Sequence, residues 1–209
     1  MIFRDRQEAG QKLAEKIRRL QGSLETALLG LPRGGVIVAA EAAKRLRLPL
    51  DIVVTRKIGA PGNPELAIGA ITEDGEAALD EAIIAAWQIP AEYIKQEIAK
   101  EKQEARRRLE LYRGGRPALN LKNQTAILVD DGIATGATMR AAIASARAKG
   151  AKKVVVAAPI IAADTLAALQ KKADEIIYLD APAYFGAVGA FYENFEQVED
   201  EEVIILLNK

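Results

Sequence analysis

Two adjacent carboxylates precede a loop of small residues in the segment AILVDDGIATGAT, residues 126–138. The carboxylates are Asp130 and Asp131, and the loop consists of Ala134, Thr135, Gly136, Ala137 and Thr138. Small side chains allow backbone N–H groups to approach a phosphate, and the start of a following helix adds partial positive charge. Carboxylates do not bind phosphate, but they suit a sugar diol or a hydrated Mg²⁺ beside it. The segment therefore predicts a site for a polyol phosphate.

The same residues have a simpler interpretation. An Asp-Asp-Gly sequence is typical of a turn, and Gly136 could serve only as the entry to a helix. The apolar run before the carboxylates, the Thr-Gly-Ala-Thr loop and the helical pattern after it form a strand–loop–helix unit. That combination favours the binding site over the plain turn.

The composition excludes several kinds of catalysis. The 209 residues include no cysteine and no histidine, which excludes thiolate nucleophiles, His-ligated zinc and imidazole acid–base chemistry. Lys and Arg number 29, as do Asp and Glu, so the formal net charge is zero. Half of the residues are apolar, which is typical of a folded chain with a proper core. Any chemistry must therefore depend on carboxylates, Lys, Arg, hydroxyls, backbone amides or a metal that arrives with the ligand.

Strand-like apolar runs alternate with helical patterns along the chain. The runs are 26–31, 51–55, 66–72, 125–130, 154–160, 175–179 and 203–207. Helical patterns cover 5–20, 36–46, 137–149 and 164–172. The interior runs are continuous Val, Ile and Leu rather than alternating, as expected where helices cover both faces of a sheet. This order predicts an α/β fold with a doubly wound parallel sheet, in one domain over residues 1–209.

One charged stretch interrupts the alternation. Residues 91–113 predict a long helix with a narrow apolar stripe, bounded by Pro90 and by Gly114. We therefore expect residues 73–117 to form a helical excursion from the sheet rather than a second domain.

The segment 126–138 resembles the phosphoribosyl-pyrophosphate (PRPP) binding motif of the type I phosphoribosyltransferases. It departs from that motif at Gly132, where an aliphatic residue is usual. The resemblance implies that Asp130 and Asp131 hold the ribose 2′ and 3′ hydroxyls. It also implies that residues 134–138 cradle the 5′-phosphate, and that the fold is the type I phosphoribosyltransferase fold with a helical insertion.

Two further segments support the resemblance. LPRGG, residues 31–35, is similar to the loop that receives pyrophosphate, which implies roles for Arg33, Gly34 and Gly35 and a cis peptide bond between Arg33 and Gly34. RKIGAPGNPE, residues 56–65, resembles the basic segment that meets pyrophosphate, which implicates Arg56 and Lys57. Taken alone, these residues are also compatible with a helix entry and with a surface Arg-Lys pair. The excursion occupies the place of the family's mobile loop.

A third segment, residues 181–195, resembles the start of the family's C-terminal hood, which we place at 181–209. The resemblance makes Phe185, Val188 and Phe191 candidates to contact a nucleobase and Glu193 a candidate near the metal or the base. An aromatic cluster of this kind is also compatible with plain core packing.

The implied activity is transfer of phosphoribose from PRPP to a nitrogenous base, with release of pyrophosphate. Mg²⁺ would be held mainly through PRPP, with Asp130, Asp131 and Glu193 as candidate ligands, and the catalytic residues would be Arg33, Lys57, Asp130 and Asp131. In 6-oxopurine enzymes of the family an aspartate stands where this chain has Ala134. This disfavours a 6-oxopurine, although Glu65, Glu73 or Glu193 could supply a carboxylate from another direction, and we expect a purine or another small aromatic base as the acceptor.

The competing hypothesis is a PRPP sensor that binds nucleic acid without catalysis. A basic stretch on the excursion could supply that surface, namely Lys102, Arg106, Arg107, Arg108, Arg113 and Arg116. Neutral overall charge and pairs such as Glu104 with Arg108 favour a solvated helix instead, so we do not expect nucleic acid as a partner.

The resemblance implies a homodimer. The opening residues do not form a signal peptide and the longest uncharged apolar run, 154–163, is shorter than the ~20 residues of a membrane helix, so we expect a cytoplasmic protein.

Overall fold

The computed structural model describes residues 1–20 and 25–208, and within them the chain forms eight strands and seven α-helices. The strands are β1 Thr26–Gly30, β2 Leu50–Ile52, β3 Thr55–Ala60, β4 Asn63–Thr72, β5 Ala77–Leu79, β6 Thr125–Val129, β7 Lys153–Ile160 and β8 Glu175–Asp180. The helices are α1 Arg6–Ile17, α2 Gly34–Leu46, α3 Glu81–Ala86, α4 Ala91–Arg113, α5 Ala137–Ala148, α6 Ala163–Leu169 and α7 Asp200–Leu207. Short 3₁₀ turns lie at Arg18–Leu20 and Val188–Phe191.

The main sheet is parallel and confirms the predicted fold class. Its five strands run in the order β2-β1-β6-β7-β8, and every neighbouring pair is parallel. Successive residues of one strand enter different clusters, since Leu28 packs with Leu13 of α1 while Leu29 packs with Met139 of α5. Burial on both faces explains the continuous apolar runs of the sequence. None of the helices in the described ranges combines the length and the apolarity needed to cross a bilayer.

The run 66–72 does not join the parallel sheet, so that part of the sequence prediction was wrong. It belongs to β4, which pairs antiparallel with β3 and β5 in a separate three-stranded sheet. Two residues, Pro61 and Gly62, separate β3 from β4, and Gly62 has a φ of +70°. So short a connection permits only antiparallel pairing, because a parallel pair needs a crossover of a dozen or more residues.

The excursion contains the predicted long helix, and α4 has the expected bounds. Pro90 stands at its N-cap, and Gly114 ends it in a left-handed conformation with a φ of +54°. Its buried Ala105 and Tyr112 pack against α2 and α7, whereas Ile94 and Ile98 pack against the three-stranded sheet. Helix α4 therefore packs against both the three-stranded sheet and the C-terminal helix α7.

The last apolar run, 203–207, forms helix α7 and not the expected strand. Three acidic residues occupy the first turn of α7, where they interact favourably with the helix dipole. Val203 and Leu207, four residues apart, are buried against α2 and α4. A five-residue apolar run suits either a strand or one buried helix face, and here the packing partners are helices.

A partly buried charge cluster links the second sheet to α5. The Lys149 ammonium lies 3.0 Å from Glu73 Oε1 and 2.8 Å from Asp74 Oδ2, both in the turn that follows β4. The Ser145 hydroxyl donates to Asp74 Oδ2 at 2.7 Å. Burial raises the pKa of Glu73, and its Oε2 has no hydrogen-bond partner in the described part of the chain. Lys149 and Ser145 therefore link the turn after β4 to α5, beside the apolar contact of Ala70 with Ala137 and Ala141.

We expect Lys149→Met to destabilise the protein by about 3 kcal/mol, because it leaves the buried Glu73 carboxylate without its counter-ion. Urea unfolding monitored by circular dichroism measures the change. Lys152→Met is the matched control, since Lys152 is exposed and close in sequence. Equal stability of the two variants would show that the cluster does not fix the second sheet.

Candidate functional site

Two helices begin at the same edge of the main sheet without a side-chain cap. Helix α2 follows β1 and α5 follows β6, and these strands pair in register with Gly30 opposite Val129. The N-cap residues, Arg33 and Gly136, make no side-chain capping hydrogen bond. The N–H groups of a first helical turn have no intrahelical acceptor. The edge therefore presents two neighbouring sets of backbone donors, each suited to an anion.

Asp130 and Asp131 lie between these two helix starts, at the end of β6. The backbone N–H of Asp131 donates to Asp130 Oδ1 at 2.9 Å. Burial raises the pKa of Asp130 well above its usual range, and the neighbouring charge of Asp131 raises it further. Burial also raises the pKa of Asp131, although the Arg6 guanidinium opposes that shift. The predicted carboxylate pair thus exists as a compact, desolvated unit.

Arg6 is a site residue that the sequence prediction missed. Its Nε donates to Asp131 Oδ2 at 2.7 Å, and both side chains are nearly buried, with 10% and 13% of their surface exposed. The sequence does carry a signal, because Arg6 falls on the same face of α1 as Ala9, Leu13 and Ile17. A cation on an apolar helix face needs a buried partner.

Gly34 and Gly35 allow α2 to begin directly against the carboxylates. A Cβ on Gly34 would lie 1.9 Å from Asp131 Oδ2, and one on Gly35 would lie 2.7 Å from the Val129 carbonyl oxygen. Both distances are too short for any side chain. Glycine is therefore required at both positions, because the loop after β1 comes too close to the end of β6 for a side chain.

The loop at residues 134–138 lies on the other side of the carboxylates. Ala134 and Thr135 are exposed, and Gly136 has a φ of +70° where it introduces α5. Arg140 Nη1 donates to the Thr135 carbonyl at 2.9 Å, and the Thr165 hydroxyl donates to the Ala134 carbonyl. Two side chains thus hold the carbonyl groups of the loop.

The cis peptide bond lies between Pro32 and Arg33, one residue earlier than the sequence prediction placed it. Gly34 is already the first residue of α2, and Arg33 has φ −98° and ψ −48°. The bond between Arg33 and Gly34 therefore belongs to the helix entry, and the irregular bond precedes it.

The Arg33 side chain is directed to the start of α7. Its Nη1 lies 3.6 Å from Glu199 Oε2 and 3.8 Å from Asp200 Oδ1. Asp200 also accepts a hydrogen bond from the Tyr112 hydroxyl of α4 at 2.6 Å. Burial and this contact raise the pKa of Tyr112 to about 12. The structure does not pair Arg33 with Asp130 or Asp131, so the guanidinium must turn from α7 to meet a ligand between the helix starts.

Arg56 and Lys57 lie on β3 of the second sheet, and not on the main sheet. Arg56 Nε donates to Glu101 Oε2 of α4 at 2.7 Å, and Glu101 is buried. The two basic residues line a cavity of about 350 Å³ together with Tyr93, whose hydroxyl donates to the Gly59 carbonyl at 2.9 Å. The excursion therefore positions this basic segment.

The hood covers the carboxylate loop, and Val188 explains the departure at Gly132. A Cβ on Gly132 would lie 2.4 Å from Val188 Cγ1, so Val188 occupies the space that an aliphatic side chain at 132 would need. The Tyr192 hydroxyl donates to the Asp131 carbonyl at 2.5 Å, which the sequence prediction did not foresee. Phe185 and Phe191 pack at 5.1 Å between ring centroids beside Val188. The three candidate base-contact residues thus lie together, next to the carboxylate loop.

Glu193 lies apart from this group. Its side chain is exposed and its charge acts on Arg4 at the surface. The described residues contain no cluster of three or more carboxylates, histidines or cysteines that could hold a metal by itself. Asp131 Oδ2 faces Arg6 and Asp130 Oδ1 accepts a backbone N–H, so the remaining oxygens are Asp130 Oδ2 and Asp131 Oδ1, and the two carboxyl groups also interact with each other. Those two oxygens fit a magnesium ion whose other ligands come from a bound substrate and water.

A buried carboxylate pair thus lies between two uncapped helix starts at the carboxyl edge of the parallel sheet. The profile of the phosphoribosyl transferase domain matches residues 4–192 of this chain. The chain therefore belongs to the phosphoribosyl transferase domain family.

Relatives agree with this assignment. The Mycobacterium tuberculosis H37Rv protein named "Putative phosphoribosyl transferase Rv0571c" is 46% identical over 208 residues, which cover 100% of this chain and 47% of the relative. The chain thus spans about half the length of that curated relative. The crystal structure of TT1426 from Thermus thermophilus has 44% identity and a TM-score of 0.84, covering 99% of this chain and 98% of the other. A Neisseria gonorrhoeae protein crystallised with ppGpp has 13% identity and a TM-score of 0.51, covering 99% and 95%, and this likeness shows the fold alone.

We expect Gly132→Val to destabilise the protein by about 1–3 kcal/mol, because the new side chain overlaps Val188. The double variant Gly132→Val with Val188→Ala should recover at least half of that loss, since the second change vacates the same space. Thermal unfolding of both single variants and the double variant measures this coupling. Additive losses in the double variant would contradict the contact.

Proposed function

We propose that this chain transfers phosphoribose from PRPP to a nitrogenous base and releases pyrophosphate, acting as a single domain. The observation that carries the proposal is the position of Asp130 and Asp131 between the uncapped starts of α2 and α5. PRPP has a ribose diol with a 5′-phosphate on one side and a pyrophosphate on the other. One carboxylate pair flanked by two anion sites matches that order of groups.

Each part of the site has a role in this reaction. Asp130 and Asp131 accept hydrogen bonds from the ribose hydroxyls, while the backbone N–H groups of Ala134, Thr135, Gly136, Ala137 and Thr138 and the threonine hydroxyls bind the 5′-phosphate. The start of α2 at Gly34 and Gly35 binds the pyrophosphate. Arg33, Arg56 and Lys57 supply positive charge as the leaving group becomes more negative, and loss of one such contact costs roughly 3 kcal/mol in comparable sites.

Magnesium is the proposed cofactor, bound chiefly through PRPP, with Asp130 Oδ2 and Asp131 Oδ1 as candidate protein ligands. When bound, it supplies positive charge that neutralises the pyrophosphate. The exposed position of Glu193 beside Arg4 gives it no contact with this carboxylate pair, so we assign it no metal role.

The acceptor in this proposal is a flat nitrogenous base held by Phe185, Val188 and Phe191. These side chains are half-buried and adjacent, so each offers apolar surface to a ring. Ala134 is exposed and cannot supply the carboxylate that 6-oxopurine enzymes use, which favours an adenine-type purine or another small aromatic base. A homodimer and a cytoplasmic location remain expectations from the family.

The contacts of the basic stretch favour the enzyme over the nucleic-acid-binding sensor. Arg113 pairs with Asp51 at 3.0 Å, and Arg107 and Arg108 pair with Glu104. Arg106 donates to the Glu73 carbonyl and Arg116 to the Leu207 carbonyl. Three of these cations therefore bind other elements and two are neutralised by a carboxylate of the same helix, which disfavours a basic surface for a phosphate backbone.

A base-panel assay tests the proposed function. The purified protein is incubated with PRPP, Mg²⁺ and, in separate reactions, adenine, hypoxanthine, guanine, xanthine, uracil and orotate, and pyrophosphate release is measured. We expect turnover with at least one base and none in Asp130→Asn with Asp131→Asn. PRPP binding without turnover of any base, together with salt-dependent RNA retention, would support the sensor instead.

We expect the single variant Asp130→Asn to weaken PRPP binding at least tenfold while raising the melting temperature of the ligand-free protein by a few degrees. The raised pKa means that ionised Asp130 disfavours the folded state, so wild-type stability falls as pH rises from the ordinary carboxyl range through the raised value. The amide removes that charge and keeps an oxygen for the Asp131 N–H. Calorimetric PRPP titration and melting curves from pH 5 to 8 measure both effects. A lower melting temperature throughout that range would contradict the electrostatic explanation.

A further inference from the structure

The Arg6 guanidinium is held from three sides. Its Nε donates to Asp131 Oδ2 at 2.7 Å, its Nη1 donates to the Glu196 carbonyl at 2.8 Å, and its Cζ lies 3.8 Å from the centre of the Phe195 ring. A guanidinium is planar, so contacts on two edges and one face fix its orientation. The carboxylate that it contacts is fixed in turn.

From this geometry we infer that Arg6 is a positioning residue for the proposed transfer, which holds Asp131 with one oxygen directed to the ribose. The inference rests on the proposed function. Oδ2 is bound by Arg6, so the other oxygen, which lies beside the Asp130 side chain, is the acceptor that a sugar hydroxyl would meet. Without the guanidinium, the Asp131 carboxylate could rotate away from the orientation that presents this oxygen to the ribose.

Arg6 also compensates charge at the junction of the two halves of the site. The first residue of α2, Gly34, is so close to Asp131 Oδ2 and Arg6 Nε that a Cβ there would lie 1.9 Å and 2.8 Å from them. A pyrophosphate bound at the start of α2 would therefore lie close to the charge of Asp131. Like charges in a desolvated site repel strongly, and the buried cation offsets that repulsion.

The N-terminal segment that carries Arg6 is joined to the hood. The Phe3 N–H donates to the Phe191 carbonyl at 2.8 Å, and the Glu193 N–H donates back to the Phe3 carbonyl at 2.8 Å. The hood in turn contacts the carboxylate loop through Val188 at Gly132 and Tyr192 at Asp131. Arg6 thus connects the ribose-binding carboxylate to the same segment that presents the proposed base-contact side chains.

The test is a double-mutant cycle on PRPP affinity, measured by calorimetry at a fixed Mg²⁺ concentration. Arg6→Met keeps much of the side-chain length without the charge, and we expect it to raise the dissociation constant for PRPP at least tenfold. Arg6→Lys keeps the charge and should restore most of the affinity. In an Asp131→Asn background, which retains both anion sites, Arg6→Met should change the dissociation constant by less than about twofold, because the carboxylate that it positions is gone.

Arg4→Met is the matched control, because Arg4 is exposed and pairs with Asp5 outside the site. We expect it to bind PRPP as the wild type does. Melting curves accompany every variant. If Arg6→Met does not fold, Arg6→Lys is compared in the two backgrounds instead, with a two- to threefold loss expected only where Asp131 is present.

The outcomes separate this inference from the proposed function. A wild-type protein that does not bind PRPP overturns both. Wild-type binding with an unchanged Arg6→Met affinity overturns the positioning role alone. An equal loss with and without the Asp131 carboxylate also overturns it, because Arg6 would then act only by supporting the hood.

Discussion

The ion pair between Arg6 and Asp131 is the contact on which the site depends. Asp130 and Asp131 are adjacent carboxylates at the end of a buried strand, and their desolvation is costly. Burial accordingly raises the pKa of both side chains. A single guanidinium from α1 offsets part of that cost. Because it also contacts Glu196 and Phe195, the same cation joins the first helix, the end of β6 and the hood.

That pair imposes steric constraints on the segments around it. Gly34 lacks a side chain because Asp131 and Arg6 occupy the space, and Gly132 lacks one because Val188 does. Loops that bind anions through backbone N–H groups need small residues in any case. Here the contacts that a Cβ would make show that Gly34 and Gly132 are also required by packing.

The sequence predicts the parts of this molecule that repeat a local pattern. The strand ending at Asp130, the helix Ala91–Arg113 and the parallel sheet follow from apolar runs and helix punctuation. The sequence does not predict β3, because the residues after Arg56 include a charge, glycines and prolines that are unusual in a strand. It does not identify α7 either, because a run of five apolar residues suits a strand as well as a helix. Contacts between distant residues, such as Val188 with Gly132, have no local signature. The role of Arg6 is partly visible in the sequence, because this cation falls on the apolar face of a predicted helix.

The basic residues of the proposed pyrophosphate site all interact with other residues of the chain. Arg33 lies near Glu199 and Asp200, Arg56 binds Glu101, and Lys57 also has an interaction partner. A pyrophosphate must therefore compete with side chains of α4 and α7 for these cations. Both helices lie outside the parallel sheet, and Tyr112 links them through Asp200. The excursion and the C-terminal helix thus control where positive charge is available, while the sheet edge provides the fixed donors.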